Sequence, residues 1–288
     1  MPKDQRELLG GQALLEGVMM KGDSALGYAV YAPDGRLHTE RREHQPWKSK
    51  YPFLGWVFVR GIVNLLEMLL LGINALDFSV SVALPEDHKK QAKYEMPLSL
   101  ALSLLISFLL FIFLPALLFS GLQGGYTGNI LWLNLLEGSA RILIFVVFLY
   151  AVGLSQDMAR VFGYHGAEHM TVHAYEAGEK LTVAAVRKYS PLHPRCGTSF
   201  LLVVFIVSIV VLALFGRTTL VSRLFIKICM LPAVAGVSYE LIRLVCRLPK
   251  CFSFIILGPG LLLQYLTTRR PDDQMLKAAI AALETAKA

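Results

Sequence analysis

Apolar positions along the chain fall into long blocks, and polar positions cluster between them. Residues 98–120 form an apolar run of more than 20 residues with Pro115 near its far end, enough for one membrane-spanning helix. Leu131 to Ser155 predicts a second span. Glu137 and Arg141 stand at its entrance, four residues apart, as for an i, i+4 salt bridge. Ser199 to Phe215 predicts a short third span. Leu224 to Val245 predicts a fourth, containing Pro232, Gly236, Tyr239, Glu240 and Arg243, the last two read as an interfacial pair. Phe252 to Leu266 is only 15 residues and is interrupted by Gly258-Pro259-Gly260, which suits a re-entrant or kinked segment.

The other segments follow different periods. In residues 56–84, Arg60, Asn64, Glu67, Asn74 and Asp77 fall on one stripe of an apolar helix. That pattern predicts an interfacial helix or one facing a polar bundle interior. Before it, Gly27-Tyr-Ala-Val-Tyr-Ala and Leu37-His-Thr-Glu-Arg-Arg flank Pro33-Asp34-Gly35, as in a β-hairpin. Gly10-Gly11 could cradle an anion. The tail from Pro271, with acids at its start, reads as a soluble helix.

The fold class expected is mainly α, a polytopic membrane helix bundle with a small N-terminal cytoplasmic β-containing element. Its parts are that element (1–55), an interfacial or bundle helix with a polar linker (56–97) and two transmembrane helices (98–155). A cytoplasmic His/Glu/Cys motif loop (156–198), two more transmembrane helices (199–250), the short fifth membrane segment (251–270) and the soluble helix (271–288) complete it.

Composition supports a lipid environment, with 55% hydrophobic residues, 17% charged and a mean hydropathy of +0.53. The net charge is +7, and 17 of the 28 Lys and Arg residues lie in 1–97 and 156–198. Those segments are therefore expected in the cytoplasm, with the connections around Gly121 and Arg217 outside. The start, Met1-Pro-Lys-Asp-Gln-Arg-Glu, lacks a signal-peptide core, which agrees with a cytoplasmic N-terminus. Without a basic helix or aromatic-interleaved strands, nucleic acid is not an expected partner. Cys196, Cys229, Cys246 and Cys251 do not suggest disulfides.

The chemistry is concentrated in His165-Gly-Ala-Glu168-His169-Met-Thr-Val-His173-Ala-Tyr-Glu176 and in His193-Pro-Arg195-Cys196-Gly-Thr198-Ser199. On a helix, His165, His169, His173 and Glu176 share an arc of about 80°, and Glu168 widens it to about 140°. Imidazole and thiolate at this spacing suit a divalent transition metal, above all zinc. An i, i+4 histidine pair alone could equally be a solvated face, and the second cluster weighs against that.

These two motifs, with Gly10-Gly11-Gln12-Ala-Leu-Leu-Glu16-Gly17-Val-Met-Met, Ser238-Tyr239-Glu240 and Leu266-Thr267-Thr268-Arg269, resemble the YqhQ-like family. That family comprises bacterial multi-pass membrane proteins with a domain of unknown function. The resemblance covers essentially the whole chain and implies the bacterial cytoplasmic membrane and a predicted metal-dependent enzyme. Met170 stands where the family has Lys, and His173 is not a family position, so it is demoted as a ligand. His165-x-x-Glu168-His169 also resembles the inverzincin signature, in which two histidines hold zinc and a glutamate handles protons.

The leading function is a membrane-embedded, cytoplasmic-facing metal-dependent hydrolase acting on a protein or lipid-linked substrate. His165 and His169 would hold the metal, with His193 or Cys196 as third ligand. Glu168 would be general base, Arg195 would stabilise developing negative charge, and Glu16 could add a carboxylate. Two other classes stand beside it: a transporter or ion-handling protein, and a non-catalytic membrane scaffold or assembly factor.

Overall fold

The computed structural model describes residues 9–123, 125–216, 218–245 and 250–287, with the backbone alone at 90, 93 and 250–256. The first eight residues, Arg217, Cys246 and the Cys251 side chain therefore lie outside the described part. Four antiparallel strands open the chain: β1 (Gly10–Leu14), β2 (Gly17–Lys21), β3 (Ala25–Tyr31) and β4 (Leu37–Glu43), in the order β1-β2-β3-β4. The expected hairpin is β3–β4, registered from Tyr31 opposite Leu37 to Ala25 opposite Glu43. In its turn Asp34 accepts from the Arg36 N–H at 2.9 Å. A second hairpin, β1–β2, lies in the glycine-rich opening.

Side chains alternate across this sheet with period two, and both faces are covered. One row, Val18, Met20 and Ala29, enters a core with α6 (Gln156–Ala177) and α11 (Asp273–Lys287). The other row, Leu14, Met19, Leu26, Tyr28 and Val30, packs on Leu71, Ala75, Phe78 and Val82 of α2 (Val59–Ala83). The sheet is thus the middle of three layers, covered by α2 on one face and by α6 and the C-terminal α11 on the other. In the motif segment 156–198, the expected motif helix is α6. Burial between sheet and α11 explains this, because main-chain polar groups that leave water must bond internally.

The remaining helices join α2 in the membrane bundle. They are α3 (Glu86–Phe108), α4 (Leu114–Gln123), α5 (Ile130–Gly153), α8 (Gly197–Ala213), α9 (Leu220–Val245) and α10 (Lys250–Thr267). Single turns also occur at α1 (Trp47–Lys50) and α7 (Val183–Val186). Among the described residues, four helical stretches are long and apolar enough to cross a membrane: Val59–Ala83, Tyr94–Gln123, Ile130–Gly153 and Leu220–Val245. A π-helical turn, Leu109–Phe113, joins α3 to α4. Pro115 accounts for it, since its missing N–H frees the carbonyl four residues back. Leu98, Leu102, Leu104, Leu105 and Ile106 point outward as a lipid-facing surface.

The third predicted span is a short helix as expected, 17 residues long. Two other expectations change in detail. The helix α10 runs unbroken through Gly258-Pro259-Gly260, because one proline forfeits only one helical hydrogen bond. Glu240 pairs not with Arg243 but with Arg60 of α2, at 2.5 and 2.6 Å, and beside it Asn64 donates to the Tyr239 hydroxyl at 2.9 Å. The start of the α2 polar stripe therefore meets α9. Glu67 further along takes Lys21 and His44 from the sheet side, while Asn74 and Asp77 stay exposed.

The helix α11 is the cover of this core, and Leu276 on it is fully buried. Leu276→Ala is expected to lower unfolding stability by about 2–5 kcal/mol, with exposed Lys277→Ala within about 0.5 kcal/mol of the parent. Thermal unfolding of the detergent-solubilised protein checks this; equal midpoints for the two variants would contradict the packing.

Candidate metal centre

The helix α6 carries the first motif. It starts after Ser155 and ends at Gly178, whose φ of +83° allows the left-handed turn that closes it. Tyr164, Ala167, Met170, Val172 and Ala174 pack into the core shared with the sheet and α11. The next face of the helix then points at the segment 190–199 and the end of α10. There it carries His165, His169 and His173.

Each of these rings is fixed by a main-chain carbonyl. His165 Nδ1 lies 2.8 Å from the Thr267 oxygen, and His169 Nδ1 lies 2.6 Å from the Pro191 oxygen. Carbonyls only accept, so both Nδ1 atoms carry the proton and both Nε2 atoms keep a lone pair. Those lone pairs meet Cys196. Its sulfur is 3.2 Å from His165 Nε2, and the three donor atoms all lie within 4.8 Å of one another. A tetrahedral ion about 2.0–2.3 Å from each donor holds them roughly 3.3–3.6 Å apart, so the triad fits such an ion with little movement. The carbonyls supply the outer hydrogen bonds that orient ligating histidines, and the Thr198 hydroxyl, 3.2 Å from the sulfur, does the same for Cys196.

A second cluster, His173, Glu176 and His193, has donor atoms equally close together, but its protons are placed differently. His193 Nδ1 accepts from the Arg195 N–H at 3.2 Å, so in the neutral ring Nε2 carries the hydrogen. That N–H is buried without a hydrogen-bond partner and points toward Glu176, 3.7 Å away. Sequence alone left the third ligand open between His193 and Cys196, and also grouped all four residues. The structure brings Cys196 to His165 and His169. It brings His193 to His173 instead, with ring centroids 4.5 Å apart against 5.6 Å to His169. His173, demoted earlier, thus belongs to this polar cluster. Its Nε2 lies 2.9 Å from the Leu192 oxygen. The Arg195 guanidinium forms an ion pair with Glu176.

Glu168 lies between the clusters, with Oε2 3.4 Å from His169 Nε2. It is almost fully buried, and loss of water raises its pKa above the usual carboxylate range, against the pull of His165, His193 and the Gly11 N–H. Burial likewise lowers the pKa values of His169, His173 and His193, favouring neutral rings. The anion cradled by the Gly-Gly motif is therefore this carboxylate. A Cβ on Gly11 would lie 2.8 Å from Glu168 Cγ and 2.6 Å from the Met19 oxygen, so only glycine allows the approach. Glu16 is elsewhere, held by Arg160 at 2.5 and 2.6 Å and by the Tyr164 hydroxyl at 3.2 Å.

Sequence reading missed Gln264, a fully buried polar residue in an apolar helix. Its Oε1 accepts from His193 N–H and its Nε2 donates to His193 O, both at 2.8 Å, and to Ser199 Oγ at 2.9 Å. Gln264 thereby clips the Cys196 loop to α10. A lone amide within an apolar run was the available signal.

Comparison with known proteins places the chain. The family model described as "Protein of unknown function (DUF1385)" matches residues 56–288, and the chain belongs to this family. "Uncharacterized protein YqhQ" of Bacillus subtilis (strain 168) is 32% identical over 290 residues, covering 94% of this chain and 89% of the relative. No solved structure matches.

Glycines 10 and 11 offer a paired test, since a Cβ at Gly10 would meet nothing within 4 Å. Gly11→Ala is expected to lower the thermal midpoint by the equivalent of about 1–3 kcal/mol, and Gly10→Ala to change it by less than about 1 kcal/mol. Equal effects would mean that β1 does not press on Glu168.

Proposed function

We propose that this membrane protein is a metal-dependent hydrolase whose site faces the cytoplasm, with His165, His169 and Cys196 as ligands of one divalent ion, zinc by donor chemistry. The observation that carries the reading is the tautomer pattern. Two buried imidazoles turn their Nε2 lone pairs toward one buried sulfur because their Nδ1 protons are already committed to carbonyls. Bound there, the ion would act as a Lewis acid that lowers the pKa of water toward 7.

The surrounding residues supply the rest of the chemistry. Glu168, with its raised pKa, is suited to take a proton from the attacking water and return it to the leaving group. The Gly11 N–H holds this carboxylate in place. The Nε2–H of His193, which makes no hydrogen bond, is a donor for negative charge developing on the substrate, and the Arg195–Glu176 pair fixes the loop carrying it. This moves the oxyanion role from Arg195 to His193. The cytoplasmic placement rests on the 17 of 28 basic residues in segments 1–97 and 156–198. Aromatic and basic residues just before α2 (Trp47, Lys48, Lys50, Tyr51, Phe53 and Trp56) suit the lipid–water boundary.

Elemental analysis of the purified protein is expected to show about one zinc per chain, lost in the His165→Ala, His169→Ala double variant. Metal content unchanged by that double variant would remove the proposed ligands. Glu168→Gln separates catalysis from structure. As a proton carrier, Glu168 can be replaced with metal retained and complementation of a gene deletion abolished. Loss of metal from Glu168→Gln would make the carboxylate a fourth ligand of a closed structural site, and full complementation would end the enzyme reading.

A further inference from the structure

At the end of the bundle away from the His/Cys site, a second polar cluster is buried among α5, α8 and α9. Glu137 of α5 is its single carboxylate. It is paired with Arg223 and Lys227 of α9 and lies 3.5 Å from Arg141, one turn along α5. All four are less than a tenth exposed. The expected Glu137–Arg141 pair is therefore one edge of a larger network. Ser208 accepts from Arg141 at 3.2 Å, and Asn134 accepts from Arg223 at 2.7 Å and donates to the Phe215 carbonyl at 3.0 Å.

The charges do not balance. Three cations face one carboxylate, an excess of two positive charges among the described residues. Excess charge in a bundle flanked by lipid is costly and persists where a counter-ion offsets it. Arg141 Nε is buried and makes no hydrogen bond, so one donor remains to be used. A cavity of about 20 Å³, measured for the centre of a water-sized sphere, lies among Asn134, Glu137, Arg141, Thr218, Arg223 and Lys227. That volume suits one small anionic group and is too small for a nucleotide or sugar.

We propose that this cavity is an anion site that receives a phosphate group at the far membrane face, with Arg141, Arg223 and Lys227 as its donors. The 17 residues of α8 put it about 26 Å from Cys196, so it is separate from the metal centre. Guanidinium groups match phosphate oxygens in pairs, and the ammonium adds a point charge. The phosphate could belong to a lipid headgroup or be free inorganic phosphate.

The test uses delipidated full-length protein in a neutral detergent. One arm titrates inorganic phosphate at constant ionic strength, and the other adds phosphatidylglycerol or phosphate-free diacylglycerol to the micelles. The parent is expected to show a saturable rise in thermal midpoint of about 3 °C or more with phosphate, with phosphatidylglycerol, or with both. A response to phosphate identifies a free-anion site, and a response to phosphatidylglycerol alone identifies a headgroup site. In either case the charge-balanced Arg141→Met, Lys227→Met variant loses the rise. An equal rise in that variant, or phosphate-free diacylglycerol acting as well as phosphatidylglycerol without any phosphate effect, would overturn the proposal. Should the variant fail to fold, equilibrium dialysis with labelled phosphate and native mass spectrometry with phosphatidylglycerol decide on the parent alone. No saturable binding of either overturns it.

Discussion

Three ring N–H groups on one face of α6 are satisfied by three carbonyls from distant parts of the chain: His165 by Thr267, His169 by Pro191 and His173 by Leu192. Buried donors must find acceptors, and each carbonyl that answers this need also fixes a tautomer. The remaining polar geometry follows. With Nδ1 committed, Nε2 of His165 and His169 can only accept, and Cys196 is the group they meet. The same requirement locks the 190–199 loop to α6 and, through Gln264, to the end of α10. Gly166 contributes by having no side chain where the Arg269 carbonyl crosses the helix.

The architecture brings these parts together by covering the N-terminal sheet with helices from along the chain, the last of them C-terminal. The strands β2 and β3 are buried on two sides, so α2 on one face and α6 with α11 on the other are obligatory covers. The Gly11 N–H reaches Glu168 only because β1 lies on α6. The site is thus assembled from the first strands, the centre of the chain and its C-terminal third. Its outer boundary is the membrane bundle, where α5 and α8 lead away to the positively charged cluster around Glu137.

Much of this was legible in sequence. Long apolar runs gave the bundle, alternation around Pro33-Asp34-Gly35 gave the β3–β4 hairpin, and the spacing of His165, Glu168 and His169 put them on neighbouring faces of one helix. That Cys196 would lie against His165 while His193 turned to His173 was not legible, because the Arg195 N–H occupies His193 Nδ1. Nor could spacing show that Glu240 would find Arg60, 180 residues away, instead of Arg243 on its own helix. Gln264 escaped for the same reason. Partners that are distant in sequence leave no periodic trace, and only packing reveals them.

Under the proposed function, one thiolate and two imidazoles converge on a single ion. X-ray absorption at the zinc edge of the purified protein tests this most directly. The account predicts a mixed shell with one sulfur at about 2.3 Å and two nitrogens at about 2.0–2.1 Å, the sulfur contribution vanishing in Cys196→Ser. A shell made only of oxygen and nitrogen in the parent protein, or one unchanged by Cys196→Ser, would contradict it.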